Sequence, residues 1–280
     1  MKMTQLACAI CCALSPLALA SDNTQPLKLE DVFNLEYANQ IDISDDGEQV
    51  YFVRNRMDIK TDRKFSNIWQ VSTDDQQLIP VTSGVHQDFS PVLSPSGDRL
   101  AFISTRDGSA QLYVKWLSTG AISKVSNLTQ SPSKPTWTPD GKALVFSMFV
   151  PAKSKSPVHL PGKPQGANWA DPAIFIDDVY YRADGAGYTK AGSRHLFSVA
   201  AQGGNAIQLT HGDFDHGGKL SFGADGATLY FSANRHKDAK LKPINSEIYA
   251  LDLASKEISA ITDRNGPDSQ PQVSPNGRYL

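Results

Sequence analysis

Residues 89–126 read FSPVLSPSGDRLAFISTRDGSAQLYVKWLSTGAISKVS. At the centre of this stretch, Ser94-Pro95-Ser96-Gly97 has the chemistry of a tight turn. Proline holds φ at about −65°, as the second position of a type I turn requires, serine can bond back to the backbone, and glycine accepts positive φ on leaving the turn. The turn opens into the apolar run Arg99-Leu100-Ala101-Phe102-Ile103. A polar break at Thr105-Arg106-Asp107-Gly108 follows, then Leu112-Tyr113-Val114, the turn residues Ser118-Thr119-Gly120 and a last short run at 122–125. Short β-branched and aromatic runs separated by turn residues spell four antiparallel strands.

The unit recurs. Ser44-Asp45-Asp46-Gly47, Thr138-Pro139-Asp140-Gly141, Gly223-Ala224-Asp225-Gly226 and Ser274-Pro275-Asn276-Gly277 each lead into an apolar run. The turn glycines Gly47, Gly97, Gly141, Gly226 and Gly277 are 50, 44, 85 and 51 residues apart. An aromatic stands at a fixed offset from the first four, at Phe52, Phe102, Phe146 and Phe231. The third strands repeat as Ile68-Trp69, Leu112-Tyr113, Leu196-Phe197 and Ile248-Tyr249, and fourth strands end in Val81-Thr82, Leu209-Thr210 and Ile261-Thr262. A period of this length built from four short strands is that of propeller blades. The expectation is an all-β chain, a β-propeller of four-stranded antiparallel blades, with about four and a half blades in these residues and one repeat lengthened by an insertion.

With 280 residues and a formal net charge of −2, the chain carries no basic stripe, which argues against a nucleic-acid partner. Residues 1–20 have the form of a secretory signal: Lys2, an apolar core over 6–14, and Ala18-Leu19-Ala20 before Ser21. That core is too short for a permanent membrane helix, so no membrane association is expected after cleavage. The three cysteines, Cys8, Cys11 and Cys12, all lie inside it, leaving a mature chain that needs no disulfides in an oxidising compartment. The expected location is the bacterial periplasm or outside the cell.

Residues 21–40 read as a leader and a short amphipathic helix over 27–37, and the propeller as 41–280 with an insertion at about 150–190. The first half of that insertion, VPAKSKSPVHLPGKPQG at 150–166, is rich in Pro, Lys and Gly and lacks periodicity. It reads as a surface excursion, and loops of such length are functional or mobile. The second half, through Ile174-Phe175-Ile176 and Val179-Tyr180-Tyr181-Arg182, reads as an added hairpin.

No G-x-S-x-G, H-E-x-x-H, phosphate-cradling glycine loop or Cys/His zinc spacing occurs. Catalytic, cofactor and metal residues are therefore expected to be none. His211-Gly212-Asp213-Phe214-Asp215-His216 has metal-ligating side chains, yet sits where other repeats have a polar connector between blades. Arginines recur four positions after the strand aromatic, at Arg56, Arg106 and Arg235. They either ring one mouth of the propeller and meet a carboxylate-bearing ligand, or pair structurally with a neighbour such as Asp107 or Asp238. Arg106, Arg235, Arg182 and Tyr181 are the candidate substrate-binding residues, the last two from the aromatic run YYRADGAGY at 180–188.

The run YYRADGAGYTKAGSRHLFSVAAQGGNAIQLTHGDFDHG, with FGADGATLYFSANR and VSPNGRYL after it, resembles the propeller of secreted serine peptidases of the prolyl oligopeptidase family. The likeness is to its acylaminoacyl-peptidase and dipeptidyl-peptidase-like members. The resemblance implies a propeller of seven or eight blades that filters peptide substrates, followed by an α/β-hydrolase domain with a Ser-Asp-His triad. These residues reach only the opening of a fifth repeat, so the expectation is the propeller part of such a peptidase, with its hydrolase domain and triad outside the 280 residues. The partners implied are a peptide substrate and the chain's own hydrolase domain. The S-P-x-G turns alone also fit a TolB-type propeller that binds a partner without catalysis.

Overall fold

The computed structural model describes residues 26–152, 161–170 and 173–280. The expected signal segment at 1–20 and the stretches 153–160 and 171–172 of the insertion lie outside the described residues. A 3-10 helix at Leu29–Asn34 comes first, its turn held by the backbone N–H of Lys28 donating to Asp31 at 2.8 Å. The expected amphipathic helix is thus a short 3-10 turn with no buried residue. The first strand begins at Glu36 instead of near residue 41, because Glu36 to Asn39 pair with Arg56 to Val53 and their backbone groups are taken by the sheet.

Blade one holds β1 (Glu36–Ile43), β2 (Gln49–Asp58), β3 (Arg63–Ser72) and β4 (Leu78–Pro80). Blade two holds β5 (Asp88–Leu93), β6 (Arg99–Ser104), β7 (Gln111–Trp116) and β8 (Ile122–Lys124). In blade three, β9 (Pro132–Trp137) and β10 (Ala143–Pro151) are separated from β13 (Gly192–Ala200) and β14 (Ile207–Gln208) by the insertion, which carries the small hairpin β11 (Arg182–Ala183) and β12 (Gly187–Tyr188). Blade four holds β15 (His216–Phe222), β16 (Thr228–Ala233), β17 (Glu247–Asp252) and β18 (Ile258–Ala260). Each blade is a four-stranded antiparallel sheet in simple sequence order. Gly47, Gly97, Gly141, Gly226 and Gly277 all have φ between +65° and +75° at the turn exits. The fifth repeat forms its turn, with the N–H of Gly277 donating to the Ser274 carbonyl at 2.8 Å.

Side chains pack between neighbouring blades as well as across the strands of one. Tyr51, Ile68 and Val81 of blade one pack on Leu100, Phe102 and Tyr113 of blade two. Ile103, Leu112 and Val114 pack in turn on Leu144, Phe146 and Phe197, and Val145 and Leu196 pack on Leu229, Phe231 and Tyr249. The repeated aromatics are cross-strand stacks: Phe102–Tyr113, Phe146–Phe197 and Phe231–Tyr249, each with centroids 5.8 Å apart. Blade one has no blade before it among the described residues. There Phe52 and Trp69 are half-buried, Arg54 lies 4.7 Å over Trp69, and Ile41 and Ile43 are exposed.

Two further regularities build the repeat. A hydroxyl two residues beyond the fourth strand accepts a hydrogen bond from a third-strand N–H in every blade: Ile68 to Thr82, Leu112 to Ser126, Leu196 to Thr210 and Ile248 to Thr262, at 2.8–3.0 Å. Each first strand also carries a bulge whose residue has positive φ: Gln40, Ser90, Lys134 and Gly218. Gln270 has φ +57° at the same place in the fifth repeat. A bulge bends and twists its strand. The bulge also frees an N–H for the preceding blade, Ser90 donating to Gln40 at 2.6 Å and Gln270 to Ser232 at 3.1 Å. Among the described residues no helix is long and apolar enough to cross a membrane.

Candidate functional site

Antiparallel order assigns the loops to two rims. The S-P-x-G-type turns and the links from third to fourth strand share one. The connectors between blades and the links from second to third strand share the other, so that rim collects the insertion, the connector at 211–216, the loop at 234–246 and all three repeated arginines.

Arg106 leaves the end of β6 and turns back onto the first strand of its own blade. Its Nη2 lies 3.1 Å from Oδ1 of Asp88, its Nε donates to Ser104 Oγ at 2.9 Å, and its plane covers Tyr113 at 4.8 Å and Phe102 at 5.2 Å. Asp88 is fully buried, and its other oxygen meets His86 Nε2 at 3.2 Å. The structural partner of Arg106 is therefore Asp88, not Asp107. Asp107 pairs with Lys124 at 3.0 Å, and Asp238 with Lys242 at 2.8 Å. Arg106 and Asp107 both lie in the turn after β6, where the guanidinium folds back to Asp88 while Asp107 reaches Lys124 on β8. Arg56 covers Phe65 at 5.2 Å and reaches the Gly84 carbonyl at 3.5 Å.

Arg235 occupies the matching position in blade four, 5.4 Å over Tyr249 and 5.7 Å over Phe214. Its Nη1 is buried and has no hydrogen-bond partner. Arg182 and Tyr181 stand exposed on the insertion hairpin, where Arg182 pairs in register with Tyr188 and the Tyr181 and Tyr188 rings are 6.5 Å apart. A contact between Asp178 and Lys240 ties this excursion to the loop of blade four. Exposed Trp169, Phe175 and Tyr180 lie on the same excursion. The structure thus collects Arg106 and Arg235 in equivalent blade positions and leaves Tyr181 and Arg182 on a separate hairpin at the same rim.

The connector at 211–216 divides its side chains among separate tasks. Asp215 accepts the Arg194 N–H at 2.6 Å, Phe214 lies under Arg235, and His216 turns into the seam between blades three and four. Its ring is 5.2 Å from His195 and 5.6 Å from Phe231, and its Nδ1 donates to the Arg194 carbonyl at 3.3 Å. Burial first, and the neighbouring His195 second, push His216 down to about 4. Burial also lowers His195. Among the described residues no three metal-ligating side chains converge. The polar third-strand positions Asn67, Gln111, His195 and Glu247 went unnoticed in the sequence. All are buried, and their signal is a single polar residue just before each Ile-Trp or Leu-Tyr type pair.

These features define a repeat protein of the β-propeller class shared by peptidases and TolB. An acylaminoacyl peptidase from Pyrococcus horikoshii superposes with a TM-score of 0.60 over 83% of this chain and 33% of its own, at 15% identity. TolB from Acinetobacter baumannii superposes at 0.51 over 87% of this chain and 61% of its own, at 12% identity. Residues 181–280 match the family described as the dipeptidyl peptidase IV (DPP IV) N-terminal region. The uncharacterized peptidase YuxL of Bacillus subtilis is 30% identical over 190 residues, covering 68% of this chain and 28% of YuxL. These likenesses support an N-terminal propeller of a prolyl oligopeptidase-family peptidase. It spans less than a third of the length of that bacterial relative.

Proposed function

We propose that these residues form the substrate-gating propeller of a secreted serine peptidase, admitting and positioning peptides for a hydrolase domain outside the 280 residues. The observation that carries this reading is the family match over residues 181–280, which begins at the hairpin residue Tyr181 and runs through the arginine rim of blade four. The identity to a peptidase of Bacillus subtilis supports it. The rim excursion, with exposed Trp169, Phe175, Tyr180 and Tyr181, suits a gate that meets unfolded peptide, since aromatic and basic groups bind extended chain without demanding one sequence. Arg182 and Tyr181 contact substrate in this reading. Periplasmic or extracellular location rests on the pattern of residues 1–20, and the mature protein then begins at Ser21.

The test uses the product of the complete reading frame. A serine-directed phosphonate labels it once, at a G-x-S-x-G serine beyond residue 280, and leaves a product ending at Leu280 unlabelled. Removing residues 173–191 changes kcat/KM for long peptides more than for dipeptides. Labelling within the 280 residues, or equal effects on both substrate lengths, refutes the gating role. The TolB likeness supports a second reading, a non-enzymatic periplasmic propeller that binds a protein or peptide. A frame that ends after more blades without Ser, Asp and His in hydrolase order selects it.

A further inference from the structure

Blades two and four place the same arginine in the same aromatic setting but give it different neighbours. Asp88 opens β5 and pairs in register with Ser104, two residues before Arg106. His216 opens β15 and pairs with Ala233, two residues before Arg235. Where blade two supplies a buried carboxylate to its guanidinium, blade four supplies an imidazole that burial keeps neutral. A neutral ring brings no negative charge to Arg235. The nearest-strand carboxylate of blade four, Glu247 on β17, has one oxygen on Thr262 Oγ1 and the other 3.3 Å from His236 Nε2, and makes no ion pair with Arg235. Asp215 is occupied by the Arg194 N–H, and the rest of the connector presents Asp213 and His211 to solvent. Arg235 is thereby left with a buried Nη1 lacking any acceptor, between Phe214 and Tyr249.

The geometry points to Arg235 as a carboxylate-binding site whose protein counter-ion has been replaced: His216 fills the place that Asp88 holds beside Arg106, and a peptide carboxylate supplies the acceptor that the imidazole does not. A guanidinium offers a planar fork matched to two carboxylate oxygens. A buried donor without an acceptor is costly, and a ligand that supplies one recovers that cost on binding. Phe214 and Tyr249 hold the fork flat and give an apolar wall for the residue that bears the carboxylate. This deepens the peptide-gating reading by assigning the chemistry of one contact. Its test needs no catalysis, so it stands or falls separately from peptidase activity.

Calorimetric titration of the 280-residue chain with N-acetyl-Ala-Ala, N-acetyl-Ala-Ala amide and N-acetyl-Glu amide reads the site directly. At least one of the two acids binds 10-fold or more tighter than the neutral amide; the first alone means a chain terminus, the second alone an acidic side chain. Arg235→Gln abolishes that preference. His216→Asp abolishes it as well, because it installs the carboxylate of blade two and closes the fork from within, and it does so with the cooperative melt retained. Lys237→Gln, on the same loop and exposed, leaves it unchanged. Equal affinity for acid and amide, no binding of any of the three, or an acid preference that survives Arg235→Gln or His216→Asp overturns the assignment. If Arg235→Gln does not fold, His216→Asp decides alone.

Discussion

The carboxylate of Asp88 lies 3.1 Å from the guanidinium of Arg106 and has no exposed surface. The pair joins the start of the first strand of blade two to the end of its second, and the arginine roofs the Phe102–Tyr113 stack. An arginine recurring at a propeller mouth is in this blade a fastening, and its fork is not free for a ligand.

Arg106→Gln should therefore destabilise the chain strongly. Removing one partner of a buried ion pair costs about 3–5 kcal/mol, because the other charge stays buried without its partner. Here His86 remains at 3.2 Å from Asp88, so the lower end is expected. Urea unfolding monitored by tryptophan fluorescence measures it, and a loss below about 1 kcal/mol would show the pair to be incidental.

Acid should weaken the seam between blades three and four. The folded state holds His216 at about 4 against an ordinary 6.5, so below pH 6.5 the unfolded chain binds the extra proton first. Stability from this group is complete above pH 6.5 and falls progressively towards pH 4. Each pH unit inside that window corresponds to about 1.4 kcal/mol at most. His195 and Arg235 face the same seam and share in the response, while His211, Asp213, Asp215 and Arg194 are exposed at its rim. His216→Gln should flatten the dependence of the melting temperature on pH between 6.5 and 5. Parallel curves for variant and wild type would remove His216 as the cause.

Thr210→Val tests the recurrent hydroxyl. Valine keeps the shape but leaves the buried Leu196 N–H without its acceptor at 2.9 Å and takes the contact at 3.3 Å from His195 Nδ1. An unsatisfied buried donor costs about 1–3 kcal/mol. The exposed Thr119, which bonds only within its own turn, serves as control and should tolerate valine with little change in denaturation midpoint.

Gly97→Val isolates backbone strain. Gly97 has φ +71° and a Cβ built there meets nothing within 4 Å, so no steric clash confuses the result. Holding a β-branched residue in the left-handed region costs about 1–3 kcal/mol. The midpoint of chemical unfolding reports it, and an unchanged midpoint would mean that the turn relaxes to another type.

The four-strand repeat, its turn glycines and its aromatic stacks were all legible in residues 89–126 and their echoes, because they depend on local backbone geometry and on the alternation of side chains along a strand. The bulges were not, since Gln40, Ser90 and Lys134 carry no glycine to mark their positive φ. The first helix was misread because its apolar spacing at 29, 32, 33 and 35 fits helix and strand entry alike. Pairing with β2 claims the residues after Asn34 for the sheet.

The arginines were visible in the sequence as a series, but not what each one does. Sequence proximity suggested Asp107 for Arg106, whereas the partner arrives from another strand 18 residues away. Local periodicity determines which residue types recur at a blade position. Which of those residues meet is decided across the sheet, where the register of β5 against β6 brings a carboxylate to Arg106, and that of β15 against β16 brings a histidine to the seam beside Arg235. The difference between a fastened arginine and an unpaired one is a difference of charge at one cross-strand position, and charges interact through space at a few ångströms regardless of their separation along the chain.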